Sequence, residues 1–170
     1  VTNSNGVGIN LEDPTDDVTI NSSTYINQGT TGVEVSDNSG VALDIDNNEI
    51  NGTDTGVNLA DLKNGTQLSV TSNTIKNGQS GLNYSETDDT INSASIAVHF
   101  NKFENNEFGI GIDDGGAGSQ LRQSFDATFN DFTGNSRAGL DVTSVDVDQG
   151  GVVNANYSYW GSSYGPGGAV

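Results

Sequence analysis

No cysteine and no methionine occur in these 170 residues, and only five residues are Lys or Arg. The missing thiols exclude a disulfide scaffold, a thiolate zinc site and a thiol nucleophile. No apolar run approaches the ~18 residues that a membrane helix needs. Against the five basic residues stand 23 Asp and Glu, giving a formal net charge of −18. A surface of that sign repels phosphate, so nucleic acid and anionic lipid are poor partners, and no nucleic acid is expected to bind. Leu, Ile, Val and Phe amount to 39 residues, close to the roughly 20% below which highly charged chains stay disordered. Composition fits one domain or none. Pattern decides between them.

What is present is a repeat. Gly-apolar-x-apolar recurs at Gly8, Gly32, Gly56, Gly81, Gly109 and Gly139, with spacings of 24, 24, 25, 28 and 30. A second motif, Asn-x-apolar, keeps the same beat at Asn48, Asn73, Asn101 and Asn130, with Thr24-Tyr25-Ile26 and Ser158-Tyr159-Trp160 in the equivalent places. Each apolar stretch alternates in steps of two, as in Val18-Thr19-Ile20 and Leu43-Asp44-Ile45, which is strand periodicity. The strands are short and divided by the turn formers Gly, Asn, Asp and Ser. Short strands that return every ~24 residues to one phase describe coils that bury their apolar rows on the coil below, since none could do so alone. The expected fold is all-β, a parallel solenoid of about six coils. Its inward rows would be Val33/Val57/Leu82/Ile110/Leu140 and Ile50/Ile75/Phe103/Phe132/Trp160. The motif Gly would supply a positive-φ turn, and the Asn an αL corner with its amide stacked on the next.

With these motifs the chain resembles the single-stranded right-handed parallel β-helix repeats of pectate-lyase-like and related surface proteins. The resemblance spans nearly all of residues 1–170, and 157–170 (Tyr157-Ser158-Tyr159-Trp160-Gly161 to Gly165-Pro166) is similar to the Asn-Tyr-Trp-Gly…Gly-Pro stretch that closes such helices, with Ser158 in place of the Asn. The acidity and scarcity of Lys are similar to extracellular proteins of halophilic archaea. The family's lyases imply a Lys or Arg beside bound Ca²⁺. Here Lys63, Lys76, Lys102, Arg122 and Arg137 share no repeat position, which leaves Arg122 as the one to test.

The coils differ in three ways. Length variation collects at one corner, in 85–95, 113–124 and 143–153, and an edge of that kind often carries binding; loops also drift in length wherever nothing packs on them. Ten of the twelve aromatics follow His99. Phe100/Phe129/Tyr157 and Phe103/Phe132/Trp160 form two columns, both expected as internal stacks, with a sugar-binding platform as the alternative; Tyr159 and Tyr164 stay open. Two residues after the Gly motif stand Asp13, Asp37, Asp61, Glu86 and Asp114. Stacked ~4.8 Å apart, such neighbours repel by about 0.8 kcal/mol in water and about 3 at an effective dielectric of 20. Relief could come from splayed side chains, concentrated salt, or a ladder of Ca²⁺ or other cations, whose ligands sit at roughly 2.3–2.6 Å. The plain alternative is that Asp favours turns.

No catalytic constellation stands out. His99 is the only histidine, and its alternation with Val98 and Phe100 makes it an outward strand residue. Carboxylate pairs are too abundant to single one out, and Gly115-Gly116-Ala117-Gly118 lacks the following helix and Lys of a phosphate loop. Sequons stand at Asn21, Asn51, Asn64, Asn83 and Asn156, and in an extracellular protein would mark exposed turns. The expected role is a non-catalytic extracellular structural or interaction domain of a cell envelope, appendage or filament, adapted to high salt. The alternative is a carbohydrate-active or glycan-binding module. The opening residues Val1 to Gly6 read as the tail of a turn, so the first coil is expected to adjoin further coils or to stack head to tail on a second copy.

Overall fold

The computed structural model describes residues 2–4, 6–22, 27–36, 40–85, 94–113, 124–143 and 152–161. Among them there is no helix, and every strand pairing is parallel. Two six-stranded sheets, a third of three strands and a short parallel pairing of Thr2–Ser4 with Asn27–Gln28 make up a β-solenoid. The first sheet stacks Val7–Glu12, Thr31–Ser36, Thr55–Ala60, Ser80–Ser85, Phe108–Asp113 and Ala138–Thr143 in sequence order. The second stacks Val18–Asn21, Ala42–Asp46, Gln67–Thr71, Ser95–His99, Ser124–Asp126 and Val152–Asn154. The third stacks Glu49–Asn51, Thr74–Lys76 and Lys102–Glu104, and single bridges carry it on through Asp131 to Tyr159.

Register follows the apolar rows. Val33, Val57, Leu82, Ile110 and Leu140 pair in line along the first sheet. The first four are buried, and Leu140 packs partly buried against them. Ile50, Ile75 and Phe103 pair likewise, and Phe132 continues the buried row. Phe103 stacks on Phe132 at 5.5 Å between centroids, and Phe132 on Trp160 at 4.8 Å. Ala127, a small residue, is fully buried in the same core. Each fully buried Val, Leu, Ile or Phe contributes roughly 1.5–3 kcal/mol relative to exposure, and only stacking buries it.

Two details of the turns differ from expectation. The motif glycines are strand residues without positive φ. What they need is closeness: a Cβ on Gly81 would lie 2.5 Å from the Gly109 carbonyl oxygen and 2.6 Å from Phe103 Cδ1. The αL corner belongs not to the stacked Asn but to the residue before it: Asn47, Ser72, Phe100 and Phe129 have φ of 54°, 56°, 58° and 59°. The corner N–H then donates to the same corner of the next coil, as from Asn47 to the Thr71 carbonyl and from Phe129 to the Asn156 carbonyl. Freed from the turn, the Asn points inward. Asn48, Asn73, Asn101 and Asn130 are buried and bonded amide to amide along the solenoid.

Candidate functional site

The corner between the second and third sheets carries the most unusual surface. An αL residue there rotates the chain so that its own side chain points out while the following Asn points in. Earlier coils fill the position with Ser22, Asn47 and Ser72, and later coils with Phe100, Phe129 and Tyr157, at φ of 58°, 59° and 59°. The expected internal stack at these three is therefore corrected: they are 62%, 48% and 79% exposed. They do stack, but outside. Phe100 and Phe129 lie 5.3 Å apart at 17°, Phe129 and Tyr157 5.1 Å apart at 11°.

The αL corner carries a backbone cost whatever side chain fills it. A non-glycine residue in the αL region costs roughly 1–2 kcal/mol, and a bulky one is a true outlier. Three such corners cost about 3–6 kcal/mol, whereas two ring stacks return only about 1–3. Ser or Asn turns the same corner elsewhere in this chain, and Asn is a residue that enters αL more readily. The αL corner is common to all these coils; what singles out the later three is that exposed aromatic rings fill it.

A groove of about 400 Å³ runs beside the ladder, with Asn101 and Asn130 at its floor and Lys102, Asp131 and Tyr159 on the far wall. Parallel bridges align that far wall, Lys102 with Asp131 and Asp131 with Tyr159. Lys102 Nζ sits 2.9 Å from Glu104 Oε1, and the Thr133 hydroxyl donates to Asp131 Oδ1. Over the earlier coils a smaller depression of about 300 Å³ follows the same corner, lined by Ser22, Asn47, Asn48, Glu49, Ser72 and Thr74. One corner thus changes from polar to aromatic along its length.

The charged candidates do not converge. Lys76 pairs with Glu49 at 2.8 Å and Arg137 with Glu107 at 2.9 Å, while Lys63 lies 3.6 Å from Asp13. Arg122 lies outside the described residues, as do Asp37, Glu86, Asp114, Tyr164, the phosphate-loop-like glycines and nearly all of the three long loops. Of the acidic column, Asp13 and Asp61 are described, and both occupy αL corners at φ 45° and 50° with their N–H groups bonded to Ser36 and Ser85 carbonyls. That conformation suits Asp as a turn residue. No cluster of three or more metal-ligating side chains occurs among the described residues.

His99 is less simple than an outward strand residue. It ends its strand half-buried, with Nε2 3.1 Å from Asp126 Oδ2 but poorly aligned for a hydrogen bond. Its ring stands edge-on to Phe100. Of the sequons, Asn21, Asn64 and Asn156 are exposed, whereas Asn51 and Asn83 sit half-buried in strands, Asn51 accepting from Asn77 and Asn83 donating to Asn58. A second amide ladder went unread in the sequence. Asn106 and Asn135 stand five residues after Asn101 and Asn130, and Asn106 bonds to the Gly78 N–H, the Ile75 carbonyl and Asn135. No family model, curated protein or solved structure matches the chain.

Proposed function

We propose that this chain is a non-catalytic extracellular interaction domain: a right-handed β-solenoid of about six coils, in a cell envelope, appendage or filament adapted to high salt. The observation that carries the reading is the contrast between its side chains. Described basic groups stand singly, each beside its own carboxylate, while the exposed side chains that do converge are aromatic and stacked in line. Chemistry needs titratable groups gathered at one point; binding needs an exposed apolar surface with polar neighbours. The net charge of −18 supports a high-salt setting, because self-repulsion of that size is screened there.

The second reading, a carbohydrate-active module, draws on the same groove, in which aromatic rings face Asp131 and Lys102. Incubation with a panel of neutral and acidic polysaccharides separates the two. Release of reducing ends, or of unsaturated products, would replace the non-catalytic reading; unchanged polymer after prolonged incubation supports it.

A further inference from the structure

We infer that the aromatic groove binds a neutral, hydroxyl-rich glycan segment, stacked on Tyr157 and Tyr159 and hydrogen-bonded to Asp131 and Lys102. The inference rests on the reading of the chain as an interaction domain and names the ligand class of its surface. Size comes first. The depression of about 400 Å³ stays open to solvent, so it can cover one face of a small ligand rather than enclose it.

Main-chain chemistry narrows the occupant further. A peptide added as an extra strand would need free backbone groups to pair with. Those of the groove floor are taken by the neighbouring coils: Asp131 N–H donates to the Asn101 carbonyl, Tyr159 N–H to that of Asn130, and Phe132 N–H to that of Tyr159. The amides of Asn101 and Asn130 are likewise used along the solenoid. Only side chains reach the ligand, and they offer both signs of hydrogen bond. Lys102 donates, Asp131 Oδ2 accepts, and the Tyr159 hydroxyl does either. Such a wall suits hydroxyl groups, which also donate and accept.

Charge excludes the acidic alternative. Among the described residues Lys102 is the one cation lining the groove, and it is already beside Glu104, while the chain as a whole repels anions. The ring geometry then places the sugar. Inside the ladder the faces cover one another. Tyr157 ends the described stack at 79% exposure, and Tyr159 stands on the opposite wall at 53%. Apolar faces beside polar groups match a sugar ring, which carries C–H groups on its faces and hydroxyls at its edge.

The test titrates the full chain with size-matched oligosaccharides of glucose, mannose and galacturonate, read by calorimetry at low and at molar salt. A neutral oligomer should bind, with an affinity that salt barely changes. Tyr157→Ala and Tyr159→Ala should each weaken binding about tenfold with melting temperatures lowered by no more than a few degrees, and Asp131→Asn by a few-fold. Glu34→Gln, on the outer face of the first sheet, should leave it unchanged. Absence of neutral binding at millimolar ligand, preference for galacturonate, or indifference to both Tyr substitutions overturns the inference. So does concentration-dependent self-association abolished by Phe129→Ser, which assigns the ladder to a second copy. Cleavage products with Tyr-dependent binding would end the non-catalytic reading and keep the site. No binding and no products would do the reverse.

Discussion

Removing one amide from the buried Asn ladder should cost this domain a large part of its stability. Asn101 makes four side-chain hydrogen bonds. Its Oδ1 accepts from the Asn73 N–H at 2.9 Å and from Asn73 Nδ2 at 3.0 Å. Its Nδ2 donates to the Val70 carbonyl at 2.8 Å and to Asn130 Oδ1 at 3.2 Å. At about 1 kcal/mol net for each, Asn101→Ala loses about 4 kcal/mol, against the ~5–15 kcal/mol that holds a domain together. The melting temperature should fall by about 8–16 °C, at roughly 2–4 °C per kcal/mol for a chain of this size. The last described coil supplies a graded control. Ser158 occupies the same rung and makes two bonds, accepting from the Asn130 N–H and donating to the Ala127 carbonyl, both at 3.1 Å. Asn101→Ser should therefore lose about half as much, ~2 kcal/mol. Asn77→Gly, which breaks one exposed bond and keeps its αL corner, should stay within about 0.5 kcal/mol. Urea is the denaturant to use, because guanidinium would also screen the −18 charge. Far-UV dichroism and Trp160 fluorescence recorded together check that the coils unfold as one unit. If Asn101→Ala stays within about 1 kcal/mol of the parent, or Ser proves no better than Ala, the ladder is not what ties the coils together.

Gly81→Ala should destabilise by about 3 kcal/mol, the upper end for overpacking, because its Cβ meets the Gly109 carbonyl as well as a ring; an unchanged urea midpoint would show that the coils can part there. Phe129→Asn should change stability by no more than about 1 kcal/mol, since relief of the αL strain offsets two lost stacks; a loss above ~3 kcal/mol would make the exposed ladder structural. The urea midpoint should rise from low to molar salt as the Debye length falls from ~10 to ~3 Å, and a flat response removes the repulsion argument. Calcium at matched ionic strength should raise it further if Asp13, Asp37, Asp61, Glu86 and Asp114 bind cations, and an effect equal to that of NaCl removes the cation ladder alone.

The fold was legible because two independent motifs keep one phase. Gly-apolar-x-apolar marks the first sheet and Asn-x-apolar the third, and the rows read from them pair in the expected register. What each motif does locally was less legible. A glycine followed by a strand has two physical explanations, a positive φ or a close approach, and a spacing pattern cannot separate them. The close approach holds at Gly32, Gly56, Gly81, Gly109 and Gly139 because another main chain or an inward side chain fills the place of the missing Cβ. That contact joins neighbouring coils and leaves no trace in the residues next to the glycine.

The site was misread for a reason of parity. Alternation carries Val98 inward and His99 outward, so strict counting puts Phe100 inside. The αL corner at Phe100 breaks the count: His99 and Phe100 both face outward, Asn101 turns in, and Phe103 is buried two residues later. Two aromatic columns only three residues apart thus fall on opposite sides of the wall. The sequence did carry a signal for this. The column that becomes Phe100, Phe129 and Tyr157 begins as Ser22, Asn47 and Ser72. A position that is polar in half the coils cannot line an apolar core, because each buried, unpaired polar side chain would cost roughly 1–3 kcal/mol. The column of Phe103, Phe132 and Trp160 begins instead as Ile50 and Ile75, apolar at every described level. Reading each column down all its coils, rather than each coil along its strand, distinguishes the wall's inner face from the outer face where the groove lies.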